Sequence, residues 1–453
     1  MKKILFIVFS FTCLLCSADN DDIYYYMMQH NENHNIISTY ISYGDFASYI
    51  VDLSTTDYGK PGDGYAHYGM LLYLHDDAFL KYIDPMSYGN NNMEMWEFKY
   101  DETQSYRQRI SADVYYCSQE ANGVWQKSDS PINQIKFGNA ILSNRLDYLI
   151  RDLIINEPYV EGKKFYHTLG NHYVKIEKKG NDFYVSSPFL SGTGSAVKAD
   201  NVTDVTNGKV IELSPSVLTI YQNVYQTLSA HPEFSDFMNL MRVSGVLGYI
   251  ANSYYSAEKT FGNMMMSSKS NTKKALPLFL QYNYTLYVPT NEAMQMAYAA
   301  GLPTIQQLID AEDSGDEAGA DNITTIMRNF VMYHLQNNSV FMDKGFETGY
   351  YKSLKMKKEE NIDDYGEPTG TYFNGAPYKL YVDVDESHLS VRDAIGNTRN
   401  IVKTEGLYNI MASEYWGDKA NSNAKIINLS SIAIHAIDGP LLYSSSQFTS
   451  VEE

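Results

Sequence analysis

Three short patterns occur in the same order in both halves of this 453-residue chain, so its fold must accommodate each of them twice. In the second half they are "TLYVPTNEAM" at Thr285–Met294, "NFVMYHL" at Asn329–Leu335 and "IAIHAIDGPLL" at Ile432–Leu442. The first reads as a β-run, Leu286 to Val288, stopped by Pro289, with Thr290 and Asn291 placed to cap a following helix. The second is the end of a helix whose apolar face carries Ile326, Phe330 and Val331, then His334 and Leu335 one turn on. The third alternates like a strand, includes His435, and closes on the turn pair Asp438–Gly439. The first half carries the same plan in worn form. "MLLYLHDDAF" at Met70–Phe79 sets Asp76 against Asn291 and Ala78 against Ala293, with Leu74 in place of the proline. "ILSNRLDYLI" at Ile141–Ile150 sets Asn144 against Asn329, Tyr148 against Tyr333 and Leu149 against His334. "NGKVIELSPSVL" at Asn207–Leu218 closes on Ser214–Pro215, with Ile211 where the second half has His435. An opening helix is expected ahead of each set. In the second half it is "TIYQNVYQTLSAHPEFSDFMNLM", Thr219 to Met241; in the first, "YGDFASYIVDL" from Tyr43, with Phe46 set against Phe234 and Tyr49 against Phe237.

The four strings of the second half, in this order, resemble the opening helix, first box, Tyr-His motif and closing box of fasciclin (FAS1) domains, over about Leu218 to Tyr443. The resemblance implies an α+β fold class: two tandem FAS1-like wedges, each a small β-sandwich flanked by helices. Residues 36–217 would form a divergent first domain, 218–445 the second, and 446–453 a tail. It also implies that Pro289, Asn291, Tyr333, His334, His435 and Asp438 are family-motif residues that hold the fold together. Helical and strand periods are interleaved without regular βαβ alternation, which agrees with an α+β arrangement.

The first residues speak to compartment. Lys2 and Lys3 precede an apolar run from Ile4 to Leu15, the length of a signal peptide and too short to span a bilayer. "FTCLLCSADNDD" resembles a lipobox, with Cys16 the residue that would carry the lipid after cleavage. Leu15 stands where a small residue is preferred, and Cys13 is an alternative lipidation site. Ser17, Asp19, Asn20, Asp21 and Asp22 resemble the signal that carries certain bacterial lipoproteins to the outer face of the outer membrane; the same run also reads as a plain solvated tether. The expectation is a signal peptide at 1–16, a flexible acidic tether at 17–35, and a lipid-anchored, surface-exposed protein. Beyond Cys13 and Cys16 the only cysteine is Cys117, so packing rather than disulfides must stabilise the fold, and Cys117 reads as a small core residue.

With 54 acidic against 35 basic side chains, the net charge is −19, which excludes nucleic acid as a partner. Forty tyrosines against three tryptophans favour contact surfaces, because tyrosine joins an apolar body to a polar tip. Spacing shows where residues were added. The first half exceeds the second by about 30 residues between its first and second patterns, and the second exceeds the first by about 39 between its second and third. The stretch 84–133 holds Trp96 and Trp125 with Tyr100 and Tyr115 among amides and charges, a composition suited to a glycan or peptide ligand. The alternative is that these aromatics pack the insertion onto its domain.

The chain carries no nucleophile elbow, Walker loop, HExxH or CxxC. "DAEDSGDEAGAD" lacks the ligand alternation of an EF-hand and reads as a solvated loop. His334 and His435 have no carboxylate or cysteine partner at fixed spacing, so structural roles are expected of them. The sequence therefore predicts no catalytic residues, no metal and no cofactor. It predicts a surface protein that adheres to or binds an extracellular protein or glycan. The alternative is an accessory glycan- or peptide-capture lipoprotein beside an outer-membrane transporter. A hydrolase working in a cleft between the domains is the third reading.

Overall fold

The computed structural model describes residues 22–43, 69–87, 93–120, 125–136, 138–190, 196–213, 224–244, 283–357, 376–418 and 425–449. The strands of the first half are β1 (Gly69–Leu74), β2 (Tyr82–Ile83), β3 (Met93–Tyr100), β4 (Ile110–Gln119), β5 (Trp125–Lys127), β6 (Asn133–Lys136), β7 (Ile154–Ile155), β8 (Phe165–His167), β9 (Tyr173–Lys179), β10 (Asp182–Ser186), β11 (Val197–Lys198), β12 (Asn201–Val205) and β13 (Gly208–Leu213). Those of the second are β14 (Tyr284–Pro289), β15 (Leu335–Asn337), β16 (Gly349–Met356), β17 (Pro377–Val384), β18 (Leu389–Arg392), β19 (Thr398–Asn400), β20 (Ile410–Asp418) and β21 (Lys425–Ile437).

The order β20-β21-β14-β15-β16-β17-β18-β19 in the second half is matched in the first by β12-β13-β1-β7, followed by β8-β9-β10-β11. A single bridge between Ile155 and Thr168 links the two four-stranded sheets of the first half. The correspondence extends to register. Tyr287 pairs with His435 and Pro289 with Ile437 on parallel strands, as Leu72 pairs with Ile211 and Leu74 with Leu213. These are the pairs that the repeated strings align. In the second half β16 passes from one sheet to the other, with a register shift between Lys352 and Met356, and the sheets fold over a shared core. Helices cover the other side: Ser235–Val243 and Glu317–Tyr333 in the second half, Asn35–Tyr43 and Ala140–Arg151 in the first. Both halves are thus α+β wedges of one plan.

The halves differ where the spacing places extra residues. Between β14 and the long helix, the second half has helices Asn291–Ala299 and Ile305–Ser314, the latter opened by a Thr304–Gln307 capping box. At that place the first half instead has a sheet of β2-β3-β4-β5, with β6 also on β4.

Two expectations need correction. The segment expected to be a tether to residue 35 is structured from Asp22 on. Asp22 caps a helix at Ile23–Gln29, whose Ile23, Tyr26 and Met27 are buried in the first core, and a second helix follows at Asn35–Tyr43. The opening-helix match is also displaced. The Asp76 carboxylate accepts from the backbone N–H of Asn35 and Ile36 at 3.1 and 2.8 Å. Asn291 Oδ1 accepts from the N–H of Asp236 at 3.0 Å. The helix answering Ser235–Val243 is therefore Asn35–Tyr43, and Phe46 and Tyr49 lie outside the described residues. Cys16 lies outside them too.

The halves are joined by buried polar and aromatic contacts. Asp343, buried in the second half, accepts from the backbone N–H of Lys164 and Phe165 on the edge of β8 at 2.7 and 2.8 Å. The Phe165 ring stacks on Phe341 at 4.1 Å with 5° between planes. At the other end the β20–β21 hairpin reaches onto the helix Ala140–Arg151. Asn144 donates to the Ile426 carbonyl at 2.9 Å and accepts from its N–H at 2.8 Å, and Ile426 joins the first-half core.

Candidate binding surfaces

The motif residues of the second half interlock. Tyr333, at the end of its helix, is fully buried; its hydroxyl accepts from the Ala394 N–H at 2.8 Å and its ring meets Tyr378 and Tyr443. His334 Nδ1 donates to the Phe330 carbonyl at 2.8 Å, and its Nε2 accepts from the Leu441 N–H at 3.0 Å. That pairing leaves one tautomer, the neutral Nδ1–H form. Burial holds its pKa down at about 3. His435 has the opposite tautomer: Nε2–H donates to the Val340 carbonyl at 2.8 Å and Nδ1 accepts from the Asn409 N–H at 3.2 Å. Burial lowers its pKa to about 4. With both nitrogens of each ring engaged, neither histidine has a lone pair to offer a metal or a proton to shuttle. Asp438 accepts from the Asn400 backbone and side-chain amides at 2.9 and 3.1 Å, pinning the end of β19 to the end of β21. Pro289 ends β14 opposite Ile437, and Asn291 ties the next helix to Pro232 and Asp236.

The aromatic insertion separates into two faces, because residues alternate along the β3–β4 hairpin. Trp96, Phe98, Ile110, Ala112 and Val114 point into the first core, and Trp96 is 2% exposed. Its indole N–H donates to Glu94 at 3.1 Å. Beside it Arg145 makes a buried two-bond pair with Asp84, Nε to Oδ1 at 2.7 Å and Nη2 to Oδ2 at 3.0 Å. Trp96 is thus a core residue, and the expectation of a ligand contact there is corrected: the hairpin needs it to seat on the helix that carries Arg145. Tyr115 is also buried, with the Lys127 ammonium 4.1 Å from its ring centre, so it offers no free face. On this second face Trp125 is half-buried against Met93, Met95, Ile83 and Cys117. Tyr100 packs partly against the first core while its hydroxyl accepts from Arg109 at 3.2 Å. Burial raises the Cys117 thiol pKa to about 12, which leaves it an inert filler.

A more open aromatic residue lies elsewhere. Tyr350 on β16 is 67% exposed, and its ring stands 5.1 Å from that of Tyr381 on β17. Neither was singled out by the sequence. The available signal was the alternation of "YYK" and "YKLYVD", which puts tyrosine and lysine on one face of a strand and valine and leucine on the other.

No family model matches the chain, and no curated protein matches it. Eleven solved chains do. One is a FAS1 domain pair from the insect cell adhesion molecule fasciclin I, 12% identical, covering 92% of this chain and 98% of that one at a TM-score of 0.28. A TM-score that low equates no residue of the two, so the internal repeat of this chain is the stronger observation.

Proposed function

We propose that this chain is a non-enzymatic, lipid-anchored surface protein that uses two fasciclin-type units as one scaffold for adhesion or extracellular ligand binding. The observation that carries the reading is the repeat itself: one eight-strand order and one strand register, present twice and locked together through Asp343, Phe165 and Asn144. The motif residues of the second half are spent on holding strands and helices together, and the two copies depart from each other in their additions. A scaffold that conserves its frame and varies its additions presents surface for recognition. The leader and Cys16 supply the anchor, and the acidic run behind Cys16 supplies the address to the outer face.

Labelled palmitate on cells expressing the full chain tests the anchor, and adhesion of the same cells to immobilised glycans and matrix proteins tests the role. Cys16→Ala is expected to lose label and surface adhesion together. Label retained in that variant sinks the assignment of Cys16, and adhesion unchanged by it sinks surface display through this anchor. Crosslinking to an outer-membrane transporter would turn the reading from adhesion toward uptake.

A further inference from the structure

We infer that the outer face of β16-β17-β18 is a binding platform for an anionic, uronate-bearing polysaccharide, an inference that rests on the chain being a binding protein and names its site and ligand class. Tyr350, Tyr381 and Arg392 lie directly across from one another on the three strands, and Lys352 lies opposite Lys379 in the next row. All three cations are exposed, and among the described residues none forms an ion pair. The Arg392 guanidinium sits 4.6 Å from the centre of the Tyr381 ring. Asp383, on the same face of β17, accepts from Thr348 at 3.2 Å.

The sibling repeat serves as an internal control. On and beside the corresponding strands of the first half carboxylates stand among the lysines: Lys164, Lys175 and Lys179 share Glu177, and Lys198 pairs with Asp182. Among the described residues the cations of the second half have no such carboxylate partners. Two lysines directly opposite on neighbouring strands repel, a cost that a bound anion removes. The exposed Tyr350 ring adds a flat apolar face with a polar rim, suited to the face of a sugar ring.

The geometry also separates a glycan from an acidic peptide. Extended peptides commonly bind by adding a strand to a free sheet edge. Here β17 is hydrogen-bonded on both sides, so side chains alone can make the contacts. Carboxylates spaced along a sugar chain would meet Lys352, Lys379 and Arg392, the last held over the Tyr381 ring, while a pyranose face lies on Tyr350.

The test is affinity electrophoresis and calorimetry of the mature chain with polygalacturonate, using dextran as the neutral control and polyglutamate as the non-sugar polyanion. Polygalacturonate is expected to bind, weaken as salt rises, and exceed both controls. Tyr350→Ala and the pair Lys352→Gln/Lys379→Gln should each weaken it by about tenfold or more. Unchanged thermal midpoints in these exposed-site variants would separate loss of binding from loss of fold. Equal binding of polyglutamate, or indifference to Tyr350→Ala, overturns the assignment in favour of plain charge attraction. Absence of polygalacturonate binding in a chain that still holds another ligand overturns this site while leaving the binding function standing; a chain that holds no ligand of any class overturns both.

Discussion

Removing the Arg145 side chain should unfold the first unit more readily than any change on its surface. The guanidinium is 2% exposed, and it is held by both oxygens of Asp84 and by Asn144 Oδ1 at 2.8 Å. Arg145→Ala leaves the Asp84 carboxylate buried without its cation, a loss of about 3–5 kcal/mol for a broken buried pair. It also frees Asn144, the residue that clamps Ile426 of the second unit, so the loss should spread across the junction. With an m-value of about 2–3 kcal/mol per molar urea, the midpoint should fall by about 1–2.5 M. Tryptophan emission reads the transition, since Trp96 lies beside the pair and Trp125 in the same sheet region. The variant Asp84→Leu/Arg145→Met should recover most of the loss, because it buries no lone charge. What remains should be about 1 kcal/mol, from the Met86 N–H that Asp84 also accepts. A midpoint for Arg145→Ala within about 0.3 M of the parent would refute the reasoning.

Three further outcomes are expected. Burial lowers the folded pKa of His334 and His435 below the ordinary histidine value, so the unfolded chain binds more protons in mild acid. Their contribution is full above about pH 6.5 and is lost as pH falls toward about 4 for His435 and about 3 for His334, at up to about 1.4 kcal/mol per pH unit from each; urea midpoints that stay flat from pH 7 to 4.5 would exclude this. Asp343→Ala removes the acceptor for two N–H groups of the β8 edge. It should uncouple the units, seen as two separated thermal transitions and wider small-angle scattering; a single unshifted transition speaks against the lock. Trp96→Ala should cost about 3–5 kcal/mol and leave ligand affinity per folded molecule unchanged, and loss of affinity at undiminished stability would return Trp96 to a binding role.

Much of the frame was legible because the patterns encode strand pairing. The strings that align Leu72 with Tyr287 and Ile211 with His435 are the parallel strand pairs themselves, and Asp76 and Asn291 do the same capping work in both units. The opening helix of the first unit was misplaced because "YGDFASYI" shares the aromatic spacing of "HPEFSDFM". What fixes the helix is a contact from Asp76, 40 residues away, which no local pattern carries. Trp96 was misread for a related reason. "MEMWEFKY" mixes apolar and charged residues on both faces, Glu94 with Trp96 and Phe98 on one and Glu97 and Lys99 with Met93 and Met95 on the other. Which face is covered depends on Arg145 and the helix beneath it. The platform at Tyr350 is not legible in the sequence because its unusual feature is lysine facing lysine across two strands, Lys352 opposite Lys379, and strand register fixes that pairing.

The central claim is that this pair of units binds and does not convert what it binds. The direct measurement presents the mature chain to an array of glycans and extracellular proteins, determines affinity for each hit, and follows the hit by mass spectrometry during prolonged incubation. The account predicts saturable binding of at least one extracellular ligand, recovered chemically unchanged. Catalytic cleavage of the ligand, or an array without a single saturable hit, would contradict it.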